Sequence, residues 1–355
     1  MKACVLHGIG DLRCEEMPAP SPQAGEVLVR VGACGVCGSD IPRVFLKGTY
    51  RFPTVPGHEF AGVVEALGPD VAQEWSQRRV AVFPLLPCRK CGPCLVGAYA
   101  QCEDYDYIGS RSDGAFAEYV RVPVWNLVPV PDGVALEEAA MTEPAAVAVH
   151  ALRQGGLDVG DAIAIYGAGP IGLMIAQWAR AWGAGRVLMV DVDPDKLDFA
   201  RNLGFDNTCN GRETDAPRWI REATDGRGAD LVVEASGASQ AFEQCMFSAR
   251  TFGRVVLMGN PAGDMTLSQD GYWAILRKEL RVAGTWNSTY GVLPRDEWRL
   301  ALDFMATGRL DLKPLITHRV DLDSLPETLA MVRDKREFAN KVMYVDSRTD
   351  QEGNA

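Results

Sequence analysis

The sequence predicts an α/β protein in two parts, a β-rich stretch followed by a doubly wound parallel sheet, and three observations carry that prediction. The first ~140 residues hold short β-branched runs broken by Gly and Pro at nearly every gap. From about residue 145, apolar strands alternate with helical stretches of roughly ten residues or more, the pattern of a parallel sheet with crossover helices. A turn of sequence GAGPIG joins one of those strands to its helix. The length of 355 residues fits about two domains of ~150 residues each.

The elements follow in order. Val27–Val31, Glu59–Ala66 and Arg79–Val82 read as strands of the first part, because each is an apolar, β-rich run bounded by turn residues. Ala162–Tyr166 opens the second part as a short apolar strand, and Pro170–Trp182 follows as an amphipathic helix. Arg186–Val190 is the next strand and Pro194–Leu203 the next helix. Leu231–Ala235, Val255–Met258 and Leu280–Ala283 continue the strands. Beyond about residue 288 come a helix over Arg295–Thr307 and strands over Thr317–Val320 and Lys341–Val345, then a polar tail after Asp346 expected to fray. There is no internal repeat.

Composition excludes several classes. A hydrophobic fraction of 47% and a charged fraction of 23% are those of a globular chain, not of a disordered or fibrous one. No run reaches the ~18 apolar residues a bilayer span requires, and the opening MKACVLHGIGDLRCEE meets charge before a signal core can form. The expectation is a soluble, cytoplasmic protein. Lys and Arg number 36 against 47 Asp and Glu, a net charge of −11. That sign repels phosphate backbones and anionic lipid, so no nucleic-acid or membrane partner is expected. Ten cysteines in such a chain read as metal ligands or core thiols, not as a disulfide framework.

Gly167-Ala168-Gly169-Pro170-Ile171-Gly172 has the spacing of a dinucleotide turn. The first glycine permits the tight turn, the second lets the backbone approach a pyrophosphate, and the third lets helix pack on strand. The helix that begins there offers unpaired N–H groups and the positive end of its dipole. Asp191, at the end of the following strand, would accept hydrogen bonds from a ribose diol and repel a 2′-phosphate, which favours NAD over NADP. The alternative is an ordinary Gly-rich βα turn.

Cys88, Cys91, Cys94 and Cys102 crowd into fifteen residues. This spacing lets one loop place four thiolates around a tetrahedral ion and leaves no open position, so a structural zinc is expected. An iron–sulfur cluster has the same ligand type. Cys37, His58 and Glu143 form a looser set that spacing alone does not join; a core thiol, a turn histidine and a helix-start carboxylate remain open alternatives.

The stretches GVCGSD (35–40), GHEFAG (57–62), the four-cysteine lobe, EPAAVAVHA (143–151) and GAGPIG occur in one order along the chain. Together they resemble the zinc-dependent medium-chain alcohol and polyol dehydrogenases, over essentially the whole sequence. CGSDIPRVF, PLLPC, YDYIGSRSDGAFAEY and the late ILRKEL, GTW, EW and PLITHR stretches are most similar to the branch acting on galactitol 1-phosphate. Sorbitol and threonine dehydrogenases share much of the framework.

The resemblance implies a GroES-like β-rich catalytic domain over residues 1–144 and 289–355, with an inserted Rossmann NAD-binding domain over 145–288. It implies two zinc ions per chain, one structural and one catalytic, the latter on Cys37, His58 and Glu143. Glu59 becomes the nearby carboxylate, Ser39 the hydroxyl that bonds the reacting alcohol, and Lys196 a second ribose contact beside Asp191. Zinc then acts as a Lewis acid toward the substrate hydroxyl while NAD accepts the hydride. The implied reaction is oxidation of galactitol 1-phosphate to tagatose 6-phosphate, with a free polyol such as sorbitol or xylitol, or L-threonine, as rival substrates. A non-catalytic NAD(H) sensor with structural zinc and a zinc-free quinone reductase are rivals of other kinds, disfavoured by the complete Cys37, His58 and Glu143 set. Many members carry a histidine five residues after the zinc cysteine to pass the alcohol proton outward; this chain has Pro42 there, so Ser39 and a water held by Glu59 become the candidate route.

Arg43, Lys47 and Arg51 form a basic run that suits a substrate phosphate or, equally, a solvated face. His7, His150 and His318 read as structural, and Trp286 and Tyr290 as cleft-lining or core aromatics. The family suggests a homodimer or homotetramer.

Overall fold

The computed structural model describes residues 1–261, 263–291, 294 and 296–348. Two compact units result. One comprises Met1–Glu143, Thr289–Gly308 and the chain from Leu312 onward; the other comprises Pro144–Ser288 and Arg309–Asp311.

The first unit is built on a seven-stranded sheet whose pivot is Glu26–Gly35. Val27, Val29 and Val31 are fully buried in it, each contributing about 1.5–3 kcal/mol of apolar burial. One edge of this strand pairs antiparallel with Glu59–Leu67 along its length. The other edge is shared: Tyr119–Pro123 pairs with its first half and Lys341–Val345 with its last residues. A strand from the end of the chain is thereby laid beside residues 33–35.

An N-terminal hairpin, Lys2–Gly8 with Asp11–Glu16, was not foreseen from the sequence. Its register sets Cys4 opposite Cys14, with Cα atoms 3.9 Å apart, and the two form a disulfide. This corrects the expectation that the cysteines outside the lobe are metal ligands or core thiols; Cys34, Cys209 and Cys245 are buried free thiols as that expectation had it.

The second unit holds a six-stranded, wholly parallel sheet. In space its strands run Thr208–Asn210, Arg186–Asp191, Ala162–Tyr166, Ala229–Glu234, Ala249–Leu257 and Arg281–Gly284. The order reverses at Ala162–Tyr166, which is the first strand of the unit and lies in the middle, so the crevice beyond its carboxyl end is the natural ligand position. Helix Pro170–Trp182 ends at Gly183, whose φ of +94° suits a residue without Cβ. Buried Trp178 on that helix donates Nε1–H to Ala145 O at 3.0 Å.

The late helix spans Glu297–Ala306, started by Asp296, whose carboxylate accepts from Trp298 N and Arg299 N. Arg295, where the sequence began this helix, lies outside the described residues, as does the tail from residue 349. No helix among the described residues is long and apolar enough to cross a membrane.

Candidate metal and dinucleotide sites

Three short elements of the first unit converge. The turn after Glu26–Gly35 carries Cys37, Ser39 and Asp40; the start of Glu59–Leu67 carries His58 and Glu59; the return strand Lys341–Val345 carries Lys341. A sulfur of Cys37, a ring nitrogen of His58 and a carboxylate oxygen of Glu59 lie within 4.8 Å of one another. Gly35 makes this possible. It stands opposite Glu59 on one side and Met343 on the other, and a Cβ on it would meet Glu59 Oε2 at 2.5 Å. Into that space Lys341 Nζ donates, to Glu59 Oε2 at 2.5 Å and to Val36 O at 3.1 Å. Burial pulls the Lys341 ammonium down, but Glu59 and the neighbouring acids outweigh it and leave its pKa raised.

Asp40 is fully buried and ties the turn together. It accepts from Cys37 N at 3.0 Å, pairs with Arg43, and lies 3.7 Å from His58 Nδ1. Ser39 Oγ donates to Cys37 Sγ at 3.2 Å. Glu143 stands outside the 4.8 Å group and accepts from Tyr107 Oη at 3.2 Å, while the Tyr107 ring meets the His58 ring edge-on at 5.8 Å.

These residues fit a cation. His58 Nδ1 is buried without a hydrogen-bond partner. Burial, with Glu59 and Asp40 adding, pushes the Cys37 thiol well above its ordinary range, so a thiolate there needs a further positive charge. Burial likewise pushes Glu143 up to about 7, with His58 opposing and Glu59 adding.

Cys88, Cys91, Cys94 and Cys102 also lie within 4.8 Å of one another. Cys91 Sγ and Cys102 Sγ are 3.9 Å apart, close to the ~3.8 Å edge of a tetrahedron with Zn–S near ~2.3 Å. The backbone N–H of Lys90 lowers the Cys88 thiol to about 6, while burial pushes Cys94 up to about 12. The lobe is closed at its base by a two-stranded ladder, Leu85 opposite Tyr107 and Leu86 opposite Asp106. That ladder holds the same Tyr107 that touches His58 and Glu143.

In the second unit, Gly167 has φ +111°, and a Cβ on Gly172 would collide with Gly167 O at 1.9 Å. Gly169 caps helix Pro170–Trp182, and nothing lies within 4 Å of where its Cβ would be, so the backbone there is open to a ligand. Pro170 and Ile171 form the first turn of that helix. Asp191 Oδ2 accepts from Ala168 N at 2.7 Å, Oδ1 accepts from Val192 N and Asp193 N, and Lys196 Nζ lies 3.9 Å away. The carboxylate thus braces the glycine turn and keeps acceptor capacity for a diol.

The basic run is less free than its sequence suggests. Arg43 is paired with Asp40 and Arg51 with Asp113 at 3.2 Å, leaving Lys47 exposed at the end of a short π-helical turn. Tyr290 is core: it stacks on Phe83 at 4.1 Å and donates to Trp125 O at 2.5 Å. Trp286 is exposed. His7, His150 and His318 face Glu15, Gln154 and Glu337 respectively. Sequence reasoning missed Lys341, Asp40 and Tyr107. Asp40 and Tyr107 lay inside quoted motifs, whereas Lys341 carried no local signal.

Comparison with known proteins shows the family. Residues 23–132 match the alcohol dehydrogenase GroES-like domain and residues 170–307 the zinc-binding dehydrogenase domain. The galactitol 1-phosphate 5-dehydrogenase of Escherichia coli (strain K12) is 36% identical over 97% of this chain and 100% of its own. The sorbitol dehydrogenase of Bacillus subtilis (strain 168) is 32% identical over 98% of both chains. The crystal structure of galactitol-1-phosphate dehydrogenase from Escherichia coli superposes with a TM-score of 0.92 at 35% identity, covering 98% of this chain and 100% of that one.

Proposed function

The chain belongs to the zinc-binding alcohol and polyol dehydrogenases of the medium-chain type, and on that premise we propose that it oxidises a secondary alcohol of a sugar alcohol to a ketose with NAD. Galactitol 1-phosphate, giving tagatose 6-phosphate, is the substrate this reading assigns. The observation that carries it is the group of half-buried Cys37 with buried His58 and Glu59, beside Glu143. A non-catalytic NAD(H) sensor or a zinc-free reductase has no use for such a group.

Cys37 and His58 would hold the catalytic metal, with Glu143 as third ligand. Glu59 already faces the Lys341 ammonium, whereas the hydrogen-bond partner of Glu143 among the described residues is a neutral phenol, so Glu143 is the carboxylate without a cation paired to it. Zinc held there would supply Lewis acidity toward the substrate oxygen, and the Gly167–Gly172 turn with Asp191 and Lys196 would hold NAD, the hydride acceptor. Ser39 Oγ, beside Cys37 Sγ, would accept the proton of the substrate hydroxyl as it hands its own proton to a water held by Glu59, in place of the histidine replaced by Pro42. Asp191 disfavours a 2′-phosphate by charge.

The partner of the chain, besides its small substrate, is a second copy of itself. Arg281–Gly284 is an edge strand, and Val282 on it lies with exposed Trp286, Tyr272, Trp273 and Leu276 in one stretch of sequence.

NAD reduction by the zinc-loaded protein with galactitol 1-phosphate, galactitol, sorbitol, xylitol and threonine tests the substrate. A preference for the phosphorylated polyol supports the reading. Equal or faster turnover of a free polyol favours the second reading, for which the similarity to the Bacillus subtilis sorbitol dehydrogenase speaks.

A further inference from the structure

Arg111 is a cation with no carboxylate beside it among the described residues, in a chain of net charge −11. Its guanidinium carbon lies 4.3 Å from the centre of the Tyr50 ring and 4.1 Å from that of Tyr105. Two aromatic faces therefore fix the plane of the guanidinium, and its N–H groups point out of the sandwich at its edges. Nη1 is used, donating to Tyr105 O at 3.0 Å, but Nε is buried without a hydrogen-bond partner. Tyr50 is 72% exposed, so the sandwich is reachable from solvent.

The sandwich is joined to the metal ligands by rings alone. Tyr105 meets Tyr107 edge-on at 6.5 Å, and Tyr107 in turn meets His58 and donates to Glu143. The neighbouring cations are spoken for: Arg43 by Asp40, and Arg51 by Asp113, while Arg51 Nε also donates to Arg111 O at 3.1 Å.

We propose that Arg111, clamped between Tyr50 and Tyr105, is the residue that reads the phosphate of a polyol phosphate whose reacting hydroxyl lies at Cys37 and His58. This rests on the polyol phosphate reading above, and replaces Arg43 with Arg111 as the phosphate contact. A guanidinium held flat offers a phosphate two parallel charge-assisted hydrogen bonds, which an exposed lysine such as Lys47 does not.

The test compares the zinc-loaded wild type, Arg111→Gln and Arg111→Lys. It uses steady-state kinetics on galactitol 1-phosphate and on galactitol, and calorimetric binding of galactitol 1-phosphate to the NADH complex as a readout independent of turnover. Arg111→Gln is expected to raise KM for the phosphate ester and weaken its binding by about 10- to 100-fold. Its effect on galactitol is expected to stay within about twofold, with kcat on either substrate little changed. Arg111→Lys, which keeps the charge without the plane, is expected to recover part of the loss. If both substrates suffer equally in both variants, Arg111 is a structural staple of the 107–112 turn and the inference falls. A preference for the phosphate ester that survives Arg111→Gln overturns the inference while the substrate reading stands. A wild type with no such preference overturns both.

Discussion

Glu59 and Glu143 are two buried carboxylates with opposite circumstances. Lys341 sits against the first, so its charge is answered inside the protein; the second accepts a hydrogen bond from Tyr107 among the described residues, and burial pushes it up to about 7. Glu143→Gln is therefore expected to lower bound zinc from two to one per chain, as counted by plasma mass spectrometry, with activity lost. Glu59→Gln should keep both ions, while its pH–rate profile shifts if the proton route runs past it. The reverse pattern would make Glu59 the ligand. Neither circumstance was legible in the sequence. Both glutamates stood in recognisable motifs, but Lys341 is 282 residues from Glu59 and looks like any strand-opening lysine. Gly35, whose missing side chain admits the pair, looks like any turn glycine.

At the scale of elements, local signals worked where they were sharp. Arg79–Val82, Ala162–Tyr166, Lys341–Val345 and the helix Pro170–Trp182 have the limits their sequence suggested, because Pro, Gly or charge closes each end. The hairpin over residues 2–16 escaped notice because its second strand, DLRCEE, is polar and only half-buried. The four-cysteine lobe was legible from spacing, but what it braces was not. Its base ladder places Tyr107, and through the following turn Arg111, so a metal held in the lobe would also brace the residues proposed to meet the substrate. Cys94→Ser is expected to remove one zinc, lower the melting temperature, and raise KM for the polyol more than it lowers kcat. A variant that lost the metal with KM unchanged would confine the lobe to local stability.

For the whole molecule, the exposed edge at Arg281–Gly284 matters most. An edge strand with one open side and apolar neighbours is a template for pairing, and a two-fold axis lets the same strand of a second copy supply it. Val282→Asp puts like charges face to face across such an axis. Light scattering should then report a monomer of about half the wild-type mass, with substrate turnover per chain measurable. An unchanged mass would place the interface elsewhere. The parallel sheet itself was the most legible part of the chain, since strand and helix alternate so regularly. The return of residues 341–345 to the first unit could be drawn only from the family resemblance.

That return has a temporal consequence. Synthesis makes Cys37, His58 and Glu59 early, yet Glu59 lacks its ammonium until Lys341 has been added and has found residues 33–36. A nascent chain still on the ribosome can lay down most of its β-rich unit and all of its parallel sheet while its metal pocket carries an unanswered charge. Contacts of such sequence separation are slow to close. The Glu59–Lys341 pair should therefore be among the late contacts of the first unit to close, and loss of residues 341–345 would leave Glu59 without its ammonium.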